Sequence, residues 1–138
     1  MSNMIFKSGF LPVLALLVTG CTETVSTPSD AGSLADGRYC YRIASIGAGV
    51  SDSEELLVEI ENRNATGEYN WIPQMKDARR GFYNGTVSGR TVNAEYRFTQ
   101  EGMAQSAGIT IILSADRAVV TGVTADAGLD STLPQVPC

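Results

Sequence analysis

The chain has 138 residues, with 10 Lys and Arg against 15 Asp and Glu and a formal net charge of −5. It contains no histidine, which excludes a Ser-His-Asp triad, a Cys-His pair and an imidazole metal site. The acidic balance argues against a basic face for DNA, RNA or anionic headgroups, and no cofactor or metal is expected.

The N-terminus reads as a targeting segment. Residues 1–9 are polar and carry Lys7, and residues 10–19 are apolar apart from Pro12 and Thr19. This is a charged region, an apolar region and a small-residue cleavage site, and its run of about 10 apolar residues is too short for a bilayer, which takes about 20. Val18-Thr19-Gly20-Cys21 closes it as a bacterial lipobox: aliphatic three places before the cut, small at the cut, and Cys after it. Cleavage after Gly20 makes Cys21 the new N-terminus, and its thiolate takes the diacylglycerol. One acyl chain holds a protein to a membrane only marginally and two hold it stably. Bacterial lipoproteins carry more than one, palmitate among them. Thr22 stands where an Asp would retain the protein at the inner membrane, so the expected address is the outer membrane, in a bacterial cell envelope. The alternative is an ordinary secretory signal.

With residues 1–20 removed, nine cationic residues face fifteen acidic ones, a formal charge of −6 over a single domain. The chain has three cysteines. Lipid consumes Cys21, which leaves Cys40 and Cys138 as the one intramolecular pair in an oxidising compartment. Closing that loop is worth about 4–5 kcal/mol by chain entropy.

Residues 21–36 comprise the lipidated Cys and a tether of Ser, Thr, Pro, Asp, Gly and Ala with little to bury. From Gly37 to Cys138 short alternating runs take over: Tyr39-Tyr41-Ile43, Leu56-Val58-Ile60, Tyr69-Trp71, Val92-Ala94-Tyr96-Phe98, Ile109-Ile111-Leu113 and Val119-Thr121-Val123. A period of two means one face buried and one solvated, as in antiparallel sheet. Asn62-Arg63-Asn64-Ala65, Gly89-Arg90, Gln100-Glu101-Gly102 and Ala115-Asp116 supply turns. Residues 45–54 are too rich in Gly and Ser for a helix. The spacing predicts an all-β domain, a small antiparallel up-and-down barrel of seven or eight strands whose closure removes sheet edges. A Cys40–Cys138 bond suits closure, and a β-sandwich is the alternative.

Thr66-Gly67-Glu68-Tyr69, Lys76-Asp77, Gly81, Asn84-Gly85-Thr86, Gly89, Ala94-Glu95-Tyr96-Arg97-Phe98, Glu101-Gly102 and Ser106 form a further pattern. With Tyr39-Cys40-Tyr41 at its start and a terminal Cys, it resembles small uncharacterised bacterial envelope lipoproteins over residues 37–138. The resemblance implies a compact barrel-like β domain and no established activity. Gly108 departs from it, since those proteins carry Arg there. A looser similarity is to lipocalin- and avidin-like barrels.

Three functional classes follow. The first is a monomeric binding protein that holds a small ligand or an envelope protein. Trp71, the single Trp, and the stretch Pro73–Arg80 would carry binding, through Met75, Lys76, Arg79 and Arg80. Against this, the aromatics can all be core and the charged stretch a solvated hairpin tip. The second is an inhibitor of a periplasmic enzyme such as lysozyme. The third, an enzyme, is disfavoured. Lys76 is the only lysine after the signal segment and is expected in solvent. The carboxylates Glu95 and Glu101 would have to face each other across a cleft, yet one is expected on a solvent face and the other in a turn. The two Asn-X-Thr triplets, at Asn64 and Asn84, match a glycosylation pattern by chance.

Overall fold

The computed structural model describes residues 32–47, 49–124 and 128–138. Cys21 and the lipobox lie outside the described residues. The described part is all-β and consists of eight strands: β1 (Gly37–Gly47), β2 (Val50–Glu61), β3 (Asn64–Ile72), β4 (Arg79–Ser88), β5 (Thr91–Gln100), β6 (Met103–Leu113), β7 (Arg117–Gly122) and β8 (Ser131–Val136). Each pairs antiparallel with the next, and β8 returns to β1, closing an up-and-down barrel. The sandwich alternative is therefore set aside.

Side-chain alternation explains the closure. Residues of one parity face inward on every strand, and the register stacks them in layers. One layer runs Leu56, Tyr69, Gly81, Phe98 and Gln105, and the next runs Val58, Gly67, Tyr83, Tyr96 and Ala107. Below them Val87, Val92, Ile111 and Val120 fill the other end. Tyr41, Tyr69, Tyr83 and Tyr96 are buried along the axis, so the barrel is packed by its own aromatics rather than hollow around a large ligand. The wide rings need matching gaps. A Cβ on Gly67 would sit 1.8 Å from Leu57 O and 2.7 Å from the Tyr83 hydroxyl oxygen. Tyr83 passes that bare backbone and donates to Leu57 O at 2.6 Å.

The two ends differ. One holds the turns at 62–63, 89–90 and 114–116, with both termini of the barrel. Asn62 and Arg63 both take positive φ there, as a two-residue hairpin turn with the right twist requires. The other end holds the connections that follow β1, β3, β5 and β7. Two segments are better tied than composition suggests. Leu34 packs against the core and its N–H donates to Gly89 O at 3.2 Å. Asp36 accepts from the Asn62 N–H at 3.1 Å. Both fall within the expected tether, so its last residues fasten onto the barrel.

Other boundaries also move. β1 and β2 continue through residues 45–47 and 50–54 and stay paired to the far end, with Gly47 opposite Val50. β6 begins at Met103, six residues before its apolar run, because cross-strand pairing with β5 extends it through small and polar residues. β8 contains Pro134 inside the strand, at the end of its ladder with β7, opposite Arg117, and beside the two residues that pair with β1.

Closure rests on a short seam, Cys40 opposite Val136 and Tyr41 opposite Gln135. Cys40 and Cys138 are disulfide-bonded beside it, with Cα atoms 5.3 Å apart and a sequence separation of 98. Reduction, or the Cys40→Ala/Cys138→Ala pair of changes, is expected to lower unfolding stability by about 4 kcal/mol. A urea titration with and without reductant measures it, and coincident midpoints would contradict the clamp.

A buried ion pair at the barrel mouth as candidate site

The inward layer at the far end differs in chemistry from those beneath it. Ile43, Glu54, Trp71 and Arg79 follow one another in register across β1 to β4, and Arg80 opposite Thr99 brings Gln100 of β5 alongside. An aliphatic barrel end would continue the apolar parity of Leu56 and Tyr69. Here the same parity delivers a carboxylate and a guanidinium to the interior.

Arg79 is only 3% exposed. Its Nη2 lies 3.5 Å from Glu54 Oε1, and the two side chains are 4% and 18% exposed. Nη1 donates to Gly128 O at 3.0 Å. The guanidinium sits 5.1 Å from the Tyr69 ring centre and 5.9 Å from that of Trp71, where aromatic faces stabilise a desolvated cation. Glu54 has its own partners. Tyr69 presents its hydroxyl to Glu54 Oε1 at 3.2 Å and to Leu129 O at 3.0 Å, and Ser131 donates to Glu54 Oε2. Tyr96 donates to Tyr69 O and stacks on Phe98, ring centres 4.8 Å apart. Leu129, between β7 and β8, is buried against this group.

One part of the cluster is incomplete. Arg79 Nε and Nη2 are buried and have no hydrogen-bond partner among the described residues. The contact of Nη2 with Glu54 is an ion pair without hydrogen-bond geometry. Nε and Nη2 form one edge of the guanidinium, the fork that matches the two oxygens of a carboxylate. A cavity of about 240 Å³ is lined by Glu54, Trp71, Arg79, Gln100 and Gly128.

The residues singled out from sequence are thus divided. Trp71 and Arg79 come together, Trp71 as a half-buried wall of the cavity. Arg79 is not in a loop. The connection is residues 73–78, and Arg79 and Arg80 open β4, one facing in and the other out. Met75 and Lys76 stay exposed at the hairpin tip. That tip is fastened to β2: Ser51 N–H donates to Gln74 Oε1 at 2.7 Å, and Gln74 N–H to Asp52 Oδ1 at 3.2 Å. Arg80 lines a larger outer hollow of about 770 Å³ with Glu68, Phe82, Glu95 and Arg97. Its charges are solvated, and Glu95 and Arg97 pair with each other at 2.9 Å with both side chains more than half exposed, a contact worth little. Glu95 faces solvent and Glu101 sits in a positive-φ turn, so no paired-carboxylate cleft forms from them. Glu54, Gln100, Gly128 and Ser131 were missing from the sequence reading. Glu54 was within its reach, since it shares the parity of Leu56, Val58 and Ile60.

Comparison of the chain with protein-family models, with curated proteins and with solved structures finds no match.

Removing one member of a buried ion pair leaves the other uncompensated. Arg79→Met alone is expected to cost about 3 kcal/mol, and Arg79→Met with Glu54→Gln to recover at least half of it. Denaturant unfolding of both variants and the parent forms the test; equal losses in the single and double variants would contradict the coupling.

Burial raises the hydroxyl pKa of Tyr41, Tyr69, Tyr83 and Tyr96. At Tyr69 the nearby Glu54 carboxylate adds to the rise and Arg79 offsets part of it. Tyr96 is pushed up to about 12 by burial, with Arg79 again pulling the other way. A folded pKa above the unfolded value near 10 means the unfolded chain releases these protons first. The stabilisation is therefore complete below about pH 10 and drains away as pH rises toward 12 and beyond. Tyrosinate absorbance is expected to appear together with loss of the fold between about pH 10 and 12. Ionisation of all tyrosines near pH 10 with the fold intact would contradict it.

Proposed function

We propose that the protein is a lipid-anchored binding module of the bacterial envelope, with the barrel mouth as its binding site. The lipobox ending at Cys21 supports the anchor, and the Cys40–Cys138 bond fits an oxidising compartment. The chain enters the barrel at the end opposite the mouth, so an N-terminal anchor leaves the mouth facing away from its membrane.

The observation that carries the reading is the unfilled fork of Arg79. A buried donor without an acceptor costs about 1–3 kcal/mol, and a fold with only structural demands would satisfy or replace it. The fork calls for an acceptor oxygen small enough to reach past Trp71, best met by a carboxylate. The tightly packed interior beneath Tyr69 and Tyr96 sets the limit: a small group enters, and a large apolar ligand of the lipocalin kind does not. Binding without chemistry is the favoured activity, since Glu54, the carboxylate that lines the cavity among the described residues, is held by Tyr69, Ser131 and Arg79.

Trp71 is the only Trp and forms a wall of the cavity, so its emission reports occupancy. Titration with sodium acetate at constant ionic strength is expected to give a saturable emission change with a dissociation constant of about 1–10 mM, a few kcal/mol of affinity. The Arg79→Met/Glu54→Gln double variant is expected to lose it. A change that fails to saturate, or one identical in the variant, would count against the site.

A further inference from the structure

Three large apolar side chains stand exposed at connections of the mouth end. Ile46 at the β1–β2 hairpin is 83% exposed, Met75 at the β3–β4 tip 75%, and Met103 at the β5–β6 turn 59%. They come from three separate connections of the same barrel end. Met103 stands opposite Gln100, a wall of the cavity, so it continues the row that runs from Glu54 through Trp71 and Arg79. Met75 is brought toward the β1–β2 hairpin by the reciprocal Gln74 bonds to Ser51 and Asp52. The tip is thus held in place rather than left loose, although it buries little.

We infer that this end of the barrel is a protein-docking face, and that its partner is a protein that presents an acidic side chain, within an apolar surround, to the Arg79 fork. The inference rests on the binding reading above and gives its carboxylate a source. The arrangement is that of an interface core: Arg and Trp at a desolvated centre, with apolar contacts that exclude water around them. Met suits such a rim because its flexible thioether adapts to the opposing surface. Charge complementarity settles what the partner brings. Nη1 of Arg79 is committed to Gly128, and Nη2 is ion-paired with Glu54 at 3.5 Å without a hydrogen bond, so among the described residues the donors that lack an acceptor are Nε and Nη2. That edge needs an anionic acceptor on a side chain long enough to pass Trp71, and Glu meets both conditions. A free small carboxylate would satisfy the fork and leave Ile46, Met75 and Met103 exposed, whereas a protein surface covers them too.

The test uses acetylated, amidated pentapeptides and the emission of Trp71 in the purified full chain. The probes are Ala-Leu-Glu-Leu-Ala, the same peptide with Gln for Glu, and the same peptide with Ser for both Leu. The Glu peptide is expected to bind about tenfold more tightly than the Gln peptide, the discrimination of one charge-assisted bond. It is expected to bind about fivefold more tightly than the Ser-flanked peptide, which reports the apolar rim. In the Ile46→Ser/Met75→Ser/Met103→Ser variant the advantage of Leu over Ser should vanish while the preference for Glu over Gln remains. The three positions are exposed, so circular dichroism should show an unchanged fold. Preference for Glu with no effect of the flanks or the triple change overturns the docking face and leaves the mouth reading standing. Loss of Glu preference overturns both. Concentration-dependent dimerisation abolished by the triple change, seen by sedimentation, assigns the rim to a second copy and overturns the inference as well.

Discussion

The barrel depends on one narrow joint. Six strand neighbours are linked by continuous hairpins, and β7 and β8 by a longer connection, but β8 must find β1 across the whole length of the domain, and the ladder that joins them has only two residue pairs. That contact carries the full loop-closure entropy of the fold and repays it with few hydrogen bonds. The Cys40–Cys138 bond sits on the outer face of the same joint and removes most of that entropy from the unfolded state. Everything inside follows from it. Only when β1 meets β8 do Tyr41, Leu133 and Val120 share an interior, and only then does the layer of Glu54 and Arg79 become a closed ring rather than the open edge of a sheet.

Interior chemistry changes along the axis, from purely apolar packing at one end to a buried ion pair at the other. At the end where the chain enters, Val87, Val92, Ile111 and Val120 need nothing but close contact. In the middle, Tyr83 and Tyr96 turn their hydroxyls onto backbone carbonyls exposed by the wide barrel, one reaching across Gly67. At the mouth the hydroxyl of Tyr69 meets a charge, Glu54, as well as the Leu129 carbonyl. Each ring is therefore anchored twice, by burial of its face and by its hydroxyl, and the mouth inherits a rigid floor on which Glu54 and Arg79 are set.

Fold class was legible from sequence because period-two runs and turn residues survive without tertiary context. Tyr39-Tyr41-Ile43 and Leu56-Val58-Ile60 name their strands directly. β6 shows where this signal ends: Ala104, Gln105, Ser106 and Gly108 carry no apolar alternation, and only the register with β5 makes them strand. The site was half legible. Trp71 stood out by scarcity and Arg79 by its charged neighbourhood, but Arg79 and Arg80 look alike in sequence. One becomes a buried cation and the other a solvated one purely by strand parity, fixed by where β4 begins. Glu54 was obscured for a related reason. It lies at the polar end of its strand, where Ser51, Asp52 and Ser53 suggest a loop, and its inward parity with Leu56 gains meaning only once β1 pairs above it.

Burying Glu54 and Arg79 is a poor way to stabilise a barrel end. Desolvating two charges costs more than their attraction returns unless the geometry is excellent, and apolar replacements of similar volume are often neutral or better. The geometry here is not excellent: Nη2 and Oε1 are 3.5 Å apart, and among the described residues Nε and Nη2 have no hydrogen-bond partner. Leu at both positions would continue the parity of Leu56 and Tyr69 and close the end with dry packing. The fold instead spends three hydroxyl and carbonyl partners, from Tyr69, Ser131 and Gly128, on holding the pair in place. Local rules broken without structural return are expected where a protein meets something else. That Nε and Nη2 of Arg79 lack a hydrogen-bond partner among the described residues, beside the single Trp, is what supports the proposed binding role of the mouth.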